Sequence, residues 1–166
     1  MKEISGSDLN LNHYLKIAKD WMLITTGDAD SYNTMTASWG HLGSLWNKPT
    51  AICYVRPQRY TKEFIDREDA YTLCFFPQEY HKALGYLGSH SGRDGDKVAD
   101  AGLTPVFGDG FTYFKEAELV LVCRTLYQAP LKEECFRDNT VMDAMYPDRD
   151  FHDLYIGAIE KVLVKE

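Results

Sequence analysis

The chain has no surplus of basic residues: among its 166 residues, 18 Lys and Arg stand against 25 Asp and Glu, a formal net charge of −7. A phosphate-rich polymer would meet net repulsion, which argues against nucleic acid as a partner. Long apolar runs are also missing. Stretches such as Leu119-Val120-Leu121-Val122-Cys123 fall far short of the roughly 20 residues that a membrane helix needs. The opening Met1-Lys2-Glu3-Ile4-Ser5-Gly6 has no basic patch leading into an apolar segment, so no secretory signal or membrane anchor is visible. The expectation is a soluble, cytoplasmic protein without membrane contact. Cysteine is sparse: Cys53, Cys74, Cys123 and Cys135 form no CxxC unit and are too far apart to imply a disulfide, and three lie in apolar runs where a reduced thiol acts as a small hydrophobe. The five histidines show neither HxxxH nor HExxH spacing, which speaks against a metal site. No GxSxG elbow, GxxxxGK[ST] loop or GxGxxG turn in a βαβ unit is present, excluding the usual serine hydrolase, P-loop and dinucleotide signatures.

What the sequence does contain is the composition of a globular protein, 45% hydrophobic and 26% charged, of a length that suits one domain over residues 1–166. Eleven Tyr, eight Phe and three Trp are enough to line a pocket for a flat ligand or to fill a core. A 3.6-residue period through Leu9, Leu11, Tyr14, Leu15 and Ile17 predicts a helix over 9–20 with Asp8 as its N-cap. Strand patterns follow at 21–27, 34–39, 50–56, 70–76, 111–114, 117–128 and 153–164, with short helices at 61–67, 79–87 and 96–101, the last stopped by Gly102. Strands do not alternate with long helices, which argues against a doubly wound parallel sheet and for an antiparallel barrel with helical insertions. In the 117–128 strand, Ala117, Leu119, Leu121 and Cys123 would share one face and Val120 and Val122 the other, implying burial on both sides. Glu116 and Glu118 would mark a solvated strand face, residues 146–150 a loop, and the last strand would close the barrel.

Three segments stand out chemically. Asn33-Thr-Met-Thr-Ala-Ser-Trp-Gly40 sets small and hydroxyl side chains in a strand context, where a ligand can approach the backbone and an aromatic neighbour can pack on a planar ring. A Thr/Ser-rich turn is the plainer alternative. Arg56-Pro-Gln-Arg-Tyr-Thr61 joins an apolar strand to a helix start. Its two arginines could bind phosphate through charge-assisted bonds, with the Thr61 hydroxyl adding another. Ser89-His-Ser-Gly-Arg-Asp-Gly-Asp-Lys97 is a glycine-punctuated polar loop that could close over an anion or equally be an N-capped turn.

Taken with the ending His152-Asp-Leu-Tyr-Ile-Gly157, these blocks resemble the flavin reductase-like, FMN-binding split-barrel family, in its flavoredoxin-like branch. The resemblance spans nearly the whole chain. It implies a mainly β Greek-key split β-barrel with short helices, a homodimer, and one noncovalent FMN per subunit near the dimer interface. The cofactor-binding positions it implies are Asn33, Met35, Thr36, Ala37, Ser38 and Trp39 along the first block, with Thr36 to Trp39 bordering the isoalloxazine. Arg56, Gln58, Arg59, Tyr60 and Thr61 would take the phosphate end, and Ser91, Gly92 and Lys97 would form a second clamp. The implied activity is an NAD(P)H-dependent flavin or ferric-type reductase, in which FMN takes hydride from transiently bound NADH or NADPH and passes electrons to a small-molecule or protein acceptor. No side chain is assigned a catalytic role of its own. The alternatives are a non-catalytic FMN-binding electron carrier reduced by a partner protein, and an oxidase of a phosphorylated vitamin B6 form on the same fold.

Overall fold

The computed structural model describes residues 1–166. Ten strands, β1 (Lys2–Ile4), β2 (Met22–Gly27), β3 (Tyr32–Ala37), β4 (Gly40–Leu45), β5 (Lys48–Val55), β6 (Ala70–Phe75), β7 (Pro105–Phe107), β8 (Thr112–Phe114), β9 (Leu119–Pro130) and β10 (Asp153–Val164), are interspersed with five short helices. The helices are α1 (His13–Ala18), α2 (Tyr60–Ile65), α3 (His81–Ser89), α4 (Lys97–Asp100) and α5 (Asn139–Met145). The main sheet runs β3-β2-β6-β9-β10-β5-β4, with β1 added to β10, and every pairing is antiparallel. Its two ends are not hydrogen-bonded to each other, yet only Ser38 and Trp39 separate β3 from β4 in the chain. That short link forces the sheet to curl until its ends are neighbours, and it leaves the barrel split at Ser38–Trp39. Mainly β with short helices, the chain has the split-barrel architecture its sequence suggested.

The barrel interior is filled by alternate residues of β2, β5, β6, β9 and β10, among them Met22, Ile24, Cys53, Val55, Leu73, Phe75, Leu121 and Tyr155. Tyr71 lies in this core and satisfies its hydroxyl by donating to the Ala51 carbonyl at 3.1 Å. The outer face of β2, β6 and β9 carries a second apolar cluster, in which Leu23, Cys74, Val120 and Val122 pack with Leu84 and Leu87 of α3, Val98 of α4 and Phe114 of β8. The sequence expectation of a β9 buried on both faces therefore holds, and one chain suffices for it. Ala117 departs from that expectation: it precedes β9 in a turn and joins the outer cluster instead of the Leu119 face. Cys53, Cys74 and Cys123 are fully buried, and burial pushes the first two thiols up to about 12. As expected, they are apolar filling; Cys135 is exposed.

Several boundaries move for identifiable reasons. The first helix begins at His13 because Asn12, not Asp8, caps it by accepting from the Leu15 amide at 3.1 Å. Leu9 and Leu11 are spent on the rim of the barrel core, and Asp8 falls in a separate 3₁₀ turn. Glu116 and Glu118 are not on a strand: Glu116 accepts the Thr104 amide at 2.9 Å, and Glu118 pairs with Lys16 of α1. β10 does not close a seam. It lies inside the sheet between β5 and β9, with a bulge at Ile156/Gly157.

Candidate functional site

β3 carries the first block of small and polar residues past two cavities. At its start, Asn33 and Met35 contribute to a polar cavity of about 380 Å³, completed by Arg56, Gln58, Arg59, Tyr60, Thr61, Ser89, His90, Ser91 and Lys97. Just beyond its end, Ser38 and Trp39 contribute to an apolar cavity of about 860 Å³. The polar cavity thus gathers residues from all three unusual segments.

Its geometry comes from local turns. β5 ends at Val55, the Arg59 amide closes a turn on the Arg56 carbonyl at 3.1 Å, and α2 starts at Tyr60 with no side-chain cap. The Arg59 guanidinium crosses to the end of α3 and donates to the Gly88 carbonyl at 2.9 Å. Thr61 is buried, its hydroxyl accepting from Asn33 Nδ2 at 2.8 Å, which leaves its own proton available for another acceptor. The loop after α3 returns over the cavity, and Asp96 caps α4 by accepting from the Ala99 amide at 3.1 Å. This places Lys97 inward at 6% exposure. Its ammonium donates only to the carbonyls of Leu87 (3.2 Å) and His90 (3.0 Å). Burial, and then the neighbouring Arg59 charge, pulls the Lys97 ammonium down to about 8. No carboxylate lines this cavity. A desolvated lysine and an arginine with only carbonyl partners favour an anion between them.

The remaining sequence-predicted positions are divided. Gly92 lies just outside the polar cavity, pressed against Asn33 and Tyr60. Arg56 reaches the cavity wall but is already engaged: it forms an ion pair with Asp150, donates to the Met145 carbonyl at 2.8 Å and sits over the Tyr146 ring. Gln58 donates to the same Asp150 at 2.7 Å. The Thr36 hydroxyl holds α3 to the barrel by donating to the Leu84 carbonyl at 2.6 Å, so it is not a free ligand donor. Ala37 packs against the barrel core.

Apart from Ser38 and Trp39, sequence reasoning missed the walls of the apolar cavity. Trp39, 43% exposed, faces His152 with ring centroids 5.2 Å apart. Tyr54, Tyr146 and Phe136 come from β5 and from the segment between β9 and β10, while His13, Tyr14 and Ile17 come from α1. His152 is buried and shares a 2.9 Å hydrogen bond between Nδ1 and the Tyr146 hydroxyl. Burial first, and then the Arg56 charge, lowers this imidazole to about 4, so it is neutral at pH 7. The local signals were Trp39 itself and His152 in the ending block His152-Asp-Leu-Tyr-Ile-Gly157; their partners lie far off in the chain. Ser89 and His90 fell inside the third segment without being singled out.

An open antiparallel barrel with a cationic cavity and an apolar cavity strung along one strand defines a binding scaffold for an anionic, partly aromatic ligand. The chain belongs to the flavin reductase like domain family, whose model matches residues 14–166. No curated protein matches it. Among solved structures it is similar to the flavoredoxin of Desulfovibrio vulgaris (Miyazaki F), at 25% identity and a TM-score of 0.69, covering 100% of this chain and 78% of that one. An FMN-binding protein from Thermus thermophilus with bound p-hydroxybenzaldehyde aligns at 20% identity and a TM-score of 0.69, over 100% of this chain and 83% of that one. The NADH:FAD oxidoreductase SgcE6 of Streptomyces globisporus C-1027 aligns at 16% identity and a TM-score of 0.66, over 88% and 75% respectively. No helix is long and apolar enough to cross a membrane, and no group of His, Cys, Asp and Glu is placed to hold a metal ion.

Proposed function

We propose that residues 1–166 form one FMN-binding domain that acts as an NAD(P)H-dependent reductase, passing electrons to a flavin, a ferric complex or a protein acceptor. The observation that supports it most directly is the buried Lys97 beside Arg59 in a cavity without carboxylates, the environment a phosphate monoester dianion needs. In this reading Arg59, Lys97, Thr61 and Ser91 hold the phosphate, while Asn33 and Met35 line its approach along β3. Ser38 and Trp39 border the isoalloxazine at the split. Arg56 and Gln58 serve mainly by holding Asp150, and with it the segment that carries Tyr146. When bound, FMN would supply the capacity to take a hydride and release electrons onward. The chain's task is then to orient that ring, to hold its phosphate and to keep the apolar cavity open for a flat donor or acceptor. A homodimer in the reducing cytoplasm completes the proposal.

The experiment is a visible spectrum of the purified protein after FMN loading and removal of excess, followed by anaerobic NADH and NADPH. Retained flavin bands that bleach with nicotinamide support the reductase. A second reading, an electron carrier, is favoured by the likeness of the whole of this chain to 78% of the Desulfovibrio flavoredoxin; bands bleached by dithionite or reduced ferredoxin but not by nicotinamide would select it. No retained flavin overturns both.

A further inference from the structure

A second polar cavity of about 370 Å³ abuts the one that holds Arg59 and Lys97, and the two share Asn33, Tyr60 and Lys97 as a common wall. The wall is braced from both sides. On one side Asn33 Nδ2 is tied to the Thr61 hydroxyl at 2.8 Å. On the other, the backbone of Gly92 is laid against it so closely that a Cβ there would overlap Asn33 Oδ1 and stand 3.2 Å from the Tyr60 ring. Arg93 stacks over the outer face of Tyr60 at 4.6 Å and pairs with Glu63 of α2, which pins that ring. Beyond the wall the charge reverses: Asp30 and Asp96 line the far cavity together with Tyr32 and Phe64, and Lys97 is its sole cation.

Resting on the FMN reading above, we infer that the Asn33–Gly92 contact is a partition that makes the site selective for a flavin ending in a phosphate monoester over one extended by a second phosphate and a nucleoside. A terminal phosphate stops at Asn33 with Arg59 and Lys97 around it. A pyrophosphate-linked extension must either breach the wall into a cavity bearing two carboxylates or turn out into solvent without partners, and both weaken binding.

The test is the dissociation constants of riboflavin, FMN and FAD, by flavin fluorescence quenching, for the wild-type chain and two variants. Asn33→Ala removes the side chain that forms the wall. Asp30→Lys reverses an exposed far-side charge and leaves the fold intact, since Asp30 is exposed and its carboxylate makes no hydrogen bond. The wild type should bind FMN at least about tenfold more tightly than FAD. Asn33→Ala should reduce that preference, and Asp30→Lys should tighten FAD by roughly three- to tenfold while leaving FMN within about twofold. FAD matching FMN in the wild type, or a preference that neither variant moves, overturns the partition alone. Failure of all three flavins to bind overturns the FMN reading and the partition with it, whereas riboflavin matching FMN would remove the phosphate site on which both rest.

Discussion

Removing the Arg59 guanidinium deletes one of two unneutralised charges from the polar cavity, and its other partner is a single carbonyl, that of Gly88. Arg59→Ala should weaken FMN binding on the order of a hundredfold, a few kcal/mol, and leave riboflavin nearly unchanged. Titration of both flavins checks this, and unaltered FMN affinity would take Arg59 out of the phosphate site. Lys97 makes a pH prediction. Its ammonium is lowered to about 8, so in the free protein the charge is lost as pH rises through that value. FMN affinity should therefore decline above pH 8, by up to about tenfold per unit. Lys97→Met should bind more weakly below pH 8 and lose this dependence. His152 acts on stability instead. With the imidazole lowered from 6.5 to about 4 in the fold, the unfolded chain binds more protons between those values, so stability is full above 6.5 and falls as pH drops toward 4. The loss should reach about 3 kcal/mol, and urea unfolding of His152→Gln at pH 7 and 4.5 should show a correspondingly smaller decline.

Between residues and whole fold, the strand bulge in β10 is the most demanding element. Gly157 sits at the register shift, and an added Cβ would lie 2.5 Å from the Tyr71 hydroxyl and 2.9 Å from Cys123 Cβ. Gly157→Ala should cost about 1–3 kcal/mol, seen as a lower urea midpoint, with part recovered in combination with Tyr71→Phe. A midpoint equal to wild type would mean that the bulge relaxes freely. β2, β6 and β9, with continuous apolar runs buried on both faces, and β5 and β10, with a more alternating pattern, were legible in the sequence because such patterns report burial directly. β4 was not: Gly40-His-Leu-Gly-Ser-Leu45 is mostly exposed along one sheet end and exists through pairing with β5. Its hairpin turns at Trp46 and Asn47, both with positive φ (53° and 58°), and Trp at such a position gives no turn signal of the Asn-Gly kind. α5 was overlooked for a similar reason, since only its Asp138 cap, bonded to the Thr140 amide at 2.9 Å, marks it locally.

For the molecule as a whole, the mouth of the apolar cavity is rimmed by exposed Tyr14, Trp39, Val141 and Met145, which fits a surface that is covered in part by a second copy. Light scattering after size exclusion should return the mass of two chains; a monomer at flavin saturation would remove the dimer from the proposal. The polar half of the candidate site could be read from residue order, because Arg59, Tyr60, Thr61 and Lys97 lie at strand-to-helix and loop-to-helix junctions whose backbone and charge are set by neighbours. The engagement of Arg56 by Asp150, 94 residues away, could not, because it depends on where the segment between β9 and β10 comes to rest. Composition, apolar patterning and turn chemistry thus determined an antiparallel barrel with a basic edge, all of them properties of neighbouring residues. The sharing of cations, the neutral His152 under Tyr146 and the two cavities along β3 arise from contacts across the sheet, where desolvation and charge are set by residues that no local pattern links.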